Sequence, residues 1–281
     1  MHVTVKQYQI PGADNKPMLT DVFFCSNGNP KPVILFVHGF KGFKDWGHFN
    51  LLGKLFAEAG FVFVKFNFSH NGTTPEKPLE FSDLEAFGNN NYVKELHDLE
   101  TVINYITQTT DPSAEANINE FYLLGHSRGG GISIIKAAEN IKIKKLVTWA
   151  SVSDLLNRNS SATIKEWKDK GVVYAYNART KQNMPLYLQF YEAIEANKER
   201  LDIKKCAHGL QIPYLVIHGT NDEAVPFKEA EALNNFCPSA KLLKIPEANH
   251  TFGVSHPFTG NQLPEHAKLV VNETIRFFNS D

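Results

Sequence analysis

An excess of charge of either sign is absent from this chain: 29 lysines and arginines face 30 aspartates and glutamates, for a net charge of −1. There is no basic field to hold nucleic acid and no acidic tail. Cysteine is scarce. Cys25, Cys206 and Cys237 are irregularly spaced, which fits a reducing, cytoplasmic setting better than a disulfide framework. No Cys/His cluster has metal-ligand spacing, so neither a metal nor a cofactor is expected. No apolar run approaches the ~20 residues of a membrane span. Residues Met1–Gln7 lack the long apolar core of a signal peptide. Internal repeats and low-complexity tracts are missing too. What remains is one sizeable domain over residues 1–281.

What is present is an alternation of strands and helices, the pattern of a mostly parallel, doubly wound sheet with helices on both faces. Val3–Gln9 and Leu19–Cys25 read as two early strands around a turn at Pro11-Gly12, the first antiparallel. Strands are also expected at Val33–Val37, Phe61–Phe66, Phe121–Leu124, Lys145–Trp149, Ile212–Gly219 and Ala240–Ile245. Helical spacing marks Trp46–Ala59, Tyr92–Ile106, the run after Gly130, Pro226–Asn235 and Pro264–Phe278. Residues 67–90 read as a long polar loop.

The most informative segment is Gly125-His126-Ser127-Arg128-Gly129. It follows an apolar strand and opens a small-residue helix, the context in which Gly-x-Ser-x-Gly places a serine hydroxyl over a sheet edge. A Cβ at Gly125 or Gly129 would collide with neighbouring backbone.

A serine hydroxyl needs a base and an acid that orients the base. The order Ser, Asp, His is met by Asp222, after the strand ending His218-Gly219, and by His250, after the strand Ala240–Ile245. Asp154, after the preceding strand, competes for the acid role, but only Asp222 lies in Asp-x-x-Val-Pro. His256 and His266 compete with His250, which is favoured by its place straight after a strand. His38, His126 and His218 read as structural hydrogen-bonding residues near turns. The developing oxyanion needs two amides. Arg128, which follows the serine, and Phe40, in His38-Gly39-Phe40, are expected to supply them from the main chain.

Taken together, His38-Gly39-Phe40, Gly125-His126-Ser127-Arg128-Gly129, His218-Gly219-x-x-Asp222-x-x-Val225-Pro226 and Asn249-His250 resemble the α/β-hydrolase superfamily, from about residue 19 to the end. The pattern is most similar to bacterial serine esterases of the dienelactone-hydrolase-like, cinnamoyl-esterase-like and serine-aminopeptidase-like groups. The resemblance implies a small-molecule ester substrate and an acyl-enzyme on Ser127. The chain departs from it in two places. Asn67–Gly72 replaces the Arg-Gly-His-Gly common after that strand, and Arg128 stands where Gln or Met is usual. Dienelactone hydrolases themselves use a cysteine nucleophile, so the serine argues against that activity.

Residues 152–205 interrupt the alternation after the sixth strand, where the superfamily carries a cap, expected here to be helical. Of its aromatics, Trp167 and Tyr187 are candidates for the substrate-binding surface, and the bland alternative is that they hold the cap to the body. Two other functions remain open at this point. One is a serine aminopeptidase, or another amide or thioester hydrolase; an aminopeptidase would need a carboxylate for the substrate's free amine, for which Glu166, Glu192, Glu195 and Glu199 are candidates. A non-catalytic ligand-binding protein on the same fold would not need the triad.

Overall fold

The early apolar segments pair first with each other. β1 (Val3–Pro11) and β2 (Pro17–Cys25) form an antiparallel hairpin, with Val3 opposite Cys25 and Pro11 opposite Pro17. The computed structural model describes residues 2–108 and 115–280. β3 (Lys31–Val37), β4 (Val62–Phe66), β5 (Ala116–His126) and β6 (Ile143–Trp149) follow. A separate antiparallel hairpin, β7 (Val172–Asn177) with β8 (Gln182–Tyr187), comes next, before β9 (Tyr214–Gly219) and β10 (Ala240–Ile245). The main sheet has eight strands in the order β1-β2-β4-β3-β5-β6-β9-β10, and every pairing from β4 to β10 is parallel. Such strands are covered on both faces, which explains why β3 and β4 are nearly continuous apolar runs.

The helices are α1 (Phe49–Glu58), α2 (Leu84–Gly88), α3 (Tyr92–Gln108), α4 (Arg128–Glu139), α5 (Ser161–Lys170), α6 (Leu188–Ala196), α7 (Ile203–His208), α8 (Lys228–Phe236) and α9 (Glu265–Asn279). Two cores lie on either side of the sheet. Leu96, Leu99, Val102 and Ile106 of α3 meet Ile132 and Ile135 of α4 in one. Leu52 and Phe56 of α1 meet Val270, Val271 and Phe278 of α9 in the other. Each such buried side chain contributes roughly 1.5–3 kcal/mol relative to exposure.

Three expectations need correction. α1 starts at Phe49 rather than Trp46, because Gly47 takes a left-handed φ of +55° and its N–H donates to His256 Nδ1 at 2.9 Å. Residues 67–90 are not a simple polar loop. Asn67, Ser69, His70 and Asn71 are buried, and Asp83 caps the short helix α2 by accepting from the Ala86 N–H. The segment after β6 is not helical throughout, since β7 and β8 form a hairpin between α5 and α6. Among the described residues no helix is long and apolar enough to cross a membrane.

Candidate active site

β3, β5, β9 and β10 are parallel, so their carboxyl ends share one edge of the sheet, where open α/β sheets place their ligand sites. Ser127 leaves β5 at φ 57°, ψ −123°, a strained conformation for a residue with a Cβ, and α4 begins at the next residue. The turn is crowded. A Cβ on Gly129 would stand 2.2 Å from the Val37 carbonyl oxygen, and one on Gly125 would stand 2.5 Å from that of Gly129. Only glycine fits at either place, which is why small residues flank the serine.

Asp222 follows β9 and is fully enclosed. Its Oδ1 accepts from the Ala224 and Val225 N–H groups at 2.9 and 2.8 Å. Its Oδ2 accepts from His250 Nδ1 at 2.8 Å. Burial pushes this carboxyl up. The hydrogen bonds from His218, His250 and the Val225 amide outweigh it and hold Asp222 well below the usual carboxylate range. Because Nδ1 of His250 donates to the carboxylate, the lone pair on Nε2 is left to act as a base.

Ser127, His250, His126, Gly39, Phe40 and Lys41 all line one small cavity of about 140 Å³. No hydrogen bond joins the Ser127 hydroxyl to His250 among the described residues, whereas the Asp222–His250 link is closed. Such bonds are often long until substrate is bound. A hollow of about 420 Å³ at Asp154, Arg158 and Glu229 is larger, but it contains neither the serine nor a histidine.

The rival residues are engaged elsewhere. Asp154 accepts from the Leu156 and Asn157 amides in its own loop. His256 accepts from Gly47, and His266 lies in α9. His38 accepts from the Phe68 N–H and donates Nδ1–H to the Gly39 carbonyl at 2.9 Å, fixing the turn before Phe40. His126 donates Nε2–H to the His250 carbonyl at 3.0 Å. Burial, then the neighbouring His250, pushes His126 down to about 3, so it stays neutral and keeps donating.

Two contacts were missed at the level of sequence, the first made by His218, which is the structural hydrogen-bonding residue expected near the turn and also touches the carboxylate of the site. His218 donates Nε2–H to the Val225 carbonyl at 2.8 Å and lies 3.2 Å from Asp222 Oδ2, so two histidines flank one carboxylate. The His-x-x-x-Asp spacing at a strand end was the available signal. The second is Glu95 of α3, buried against Arg128 at 2.5 Å and accepting also from Asn90 at 2.8 Å. The Arg128 guanidinium lies 4.6 Å from the Phe40 ring centre and 5.7 Å from that of Tyr92. It thus props the loop that carries the Phe40 amide. Arg128 is the first residue of α4, so its N–H has no intrahelical acceptor and can point at a ligand.

Neither cap candidate lines the serine cavity. Trp167 is 1% exposed, donates Nε1–H to the Leu186 carbonyl, and stacks on Phe190 and Tyr191. Tyr187 donates to Glu85 at 2.6 Å and packs over Gly88. Both fasten the inserted segment. Glu166, Glu195 and Glu199 pair with Lys170, Lys198 and Lys205 on exposed surface, and none of the four glutamates lines the cavity. Among the described residues no group of three or more His, Cys, Asp or Glu side chains is placed to hold a metal ion.

A family model described as alpha/beta hydrolase fold matches residues 152–257. The solved structure of Est1E from Butyrivibrio proteoclasticus superposes with a TM-score of 0.70 at 18% identity, covering 97% of each chain. This chain has the α/β-hydrolase fold. Est1E has also been solved with ferulic acid bound, and that structure superposes with a TM-score of 0.72. Curated relatives are more distant in extent. The lysophosphatidylserine lipase ABHD12 of Danio rerio is 25% identical over 217 residues, which is 75% of this chain and 49% of the relative. The serine hydrolase BPHL of Homo sapiens is 26% identical over 159 residues, 51% of this chain and 53% of the relative. The chain therefore spans about half the length of the curated relatives it matches.

Proposed function

We propose that the protein is a serine hydrolase that cleaves carboxylic esters of small to medium size through an acyl-enzyme on Ser127. The observation that carries this reading is the strained Ser127 turn opening into the same cavity as His250, whose Nδ1–H is fixed by Asp222 at 2.8 Å. Ser127 Oγ attacks the ester carbonyl carbon while its proton passes to His250 Nε2. The Phe40 and Arg128 amides hold the oxyanion. Collapse of the tetrahedral intermediate expels the alcohol, which takes the proton from His250. Water, deprotonated by the same imidazole, then releases the acid and restores Ser127. Asp222 keeps the tautomer and stabilises the imidazolium. In this reading residues 152–205 are a cap that shapes access to the cavity and supplies no reacting group.

The small cavity favours a compact acyl group over a peptide, and none of the four cap glutamates lines it, three of them being paired with lysines, which disfavours them as anchors for a substrate amine. A p-nitrophenyl ester and an aminoacyl-anilide, tested side by side, separate the esterase from the aminopeptidase. Ser127→Ala should lower kcat on the ester by on the order of 10⁴–10⁶ with an unchanged circular dichroism spectrum. Retention of more than about a tenth of the rate would remove Ser127 from the nucleophile role.

A further inference from the structure

The Asp222 carboxylate is bound more fully than a link to His250 requires. Its two oxygens offer about four acceptor positions. Oδ1 takes the Ala224 and Val225 N–H groups at 2.9 and 2.8 Å, and Oδ2 takes His250 Nδ1 at 2.8 Å. The remaining position is filled by His218 of β9, whose Nε2 stands 3.2 Å from Oδ2. The same nitrogen lies 2.8 Å from the Val225 carbonyl oxygen. A carbonyl can only accept, so Nε2 carries the proton and shares it between the carbonyl and the carboxylate.

Packing alone does not account for an imidazole at this position. His218 is 0% exposed and stands edge-on to the Phe227 ring. Its other nitrogen, Nδ1, is buried with no hydrogen-bond partner among the described residues. An unpaired buried acceptor loses its solvation without compensation, a cost that an apolar side chain of similar volume avoids. A donor aimed at Asp222 does account for it. The base of that donor is rigid. A Cβ on Gly219 would stand 2.2 Å from the Ala248 carbonyl oxygen, and that oxygen accepts from the Asn221 N–H at 3.0 Å. The end of β9 is thus locked to the loop that carries His250, and the His218 bond to Val225 closes the Asp222 turn from the strand side.

We propose that His218 is a positioning residue for the Ser127 reaction: its Nε2–H holds the Asp222 carboxylate in the orientation that aims His250 at the serine. The inference rests on the serine-hydrolase reading and adds a residue to its machinery. Without this donor, Oδ2 keeps an empty lone pair in a dry site, and the carboxylate can turn away from His250 Nδ1. The loss falls on the step in which His250 takes the serine proton, so kcat falls while KM stays.

Steady-state kinetics on p-nitrophenyl acetate tests this. His218→Met removes both nitrogens and should lower kcat by about 10–100-fold, the worth of a hydrogen bond to a charged group, with KM within about twofold. His218→Asn keeps the position polar but is too short to reach Oδ2, and it should show the same loss even where the methionine variant does not fold. His218→Gln places an amide nitrogen where Nε2 stood and should recover kcat to within about threefold of wild type. The decisive comparison is made on Asp222→Asn. A residue that acts through Asp222 has nothing left to act on there, so adding His218→Asn should lower kcat by less than about twofold, whereas a merely structural role adds its full loss. Full kcat in His218→Met and His218→Asn, a rise in KM in place of the fall in kcat, a loss that His218→Gln does not reduce, or additive losses in the double variant would overturn the positioning role while leaving the hydrolase reading intact. Failure of that reading has a different signature: ester turnover that persists in Ser127→Ala.

Discussion

Lowering the pH from 7 to 5 should destabilise this protein by several kcal/mol while Asp222 is still ionised. His38 and His48 are 3% and 5% exposed. Burial pushes each from 6.5 down to about 4, the Gly39 carbonyl opposing it at His38. The native state therefore refuses protons that the unfolded chain takes up. A folded value below the unfolded one means that the stabilisation is complete above about pH 6.5 and is lost as the pH falls toward 4. The gap between folded and unfolded values is worth about 3 kcal/mol per histidine in full, of which about 2 kcal/mol disappears between pH 7 and pH 5. The pair together then loses about 4 kcal/mol, a large part of the ~5–15 kcal/mol typical of a folded domain. His126 pushes in the same direction. Asp222 adds its share only at lower pH, because its depressed carboxyl stabilises the fold above about 4 and fails below it. Urea titrations at pH 7 and pH 5, followed by tryptophan fluorescence, should place the midpoint on the order of 1–2 M lower at pH 5. His48→Gln removes one titrating group and should shrink the loss by about 2 kcal/mol. Equal midpoints at the two pH values, or a loss unchanged in His48→Gln, would refute the reasoning.

Two substitutions probe the site more locally. Asp222→Asn should lower kcat by roughly 10⁴-fold, because an amide holds the wrong imidazole tautomer, while Asp154→Asn should stay within about threefold. Steady-state kinetics on one ester decides between them, and a larger loss at Asp154 would move the acid to the end of β6. Glu95→Ala strands the Arg128 guanidinium among Phe40 and Tyr92. It should cost about 3 kcal/mol, read as a fall in Tm of roughly 5–12 °C, and an unchanged Tm would mean that the pair is dispensable.

The catalytic candidates were legible in the sequence because each lies just beyond a strand, and strand ends are marked by apolar runs that stop at a glycine or a polar turn. The β5–α4 turn even announces its own crowding through Gly125 and Gly129. What stayed hidden depends on packing between distant segments. Glu95 and Arg128 lie on different helices, and nothing local marks them as partners. The β7–β8 hairpin is two six-residue strands, the second interrupted by Pro185, so it carries no clear strand period. Asn67–Asn71 looked like exposed loop because its residues are polar, yet Asn67 accepts from the Lys44 amide at 2.6 Å and Ser69 is bonded to Asp98, which lets the segment be buried. Trp167 and Tyr187 were placed by residue type alone, and their polar atoms found partners inside the inserted segment and on α2 instead of at the cavity.

The central claim is that Ser127 is the activated nucleophile, and covalent trapping tests it most directly. A small fluorophosphonate incubated with the folded protein should add a single phosphonyl group to the peptide containing Ser127, as read by tandem mass spectrometry. Ser127→Ala should remain unlabelled with its fold intact, and Asp222→Asn should be labelled far more slowly. Labelling of a different residue, or equal labelling of Ser127→Ala, would contradict the account.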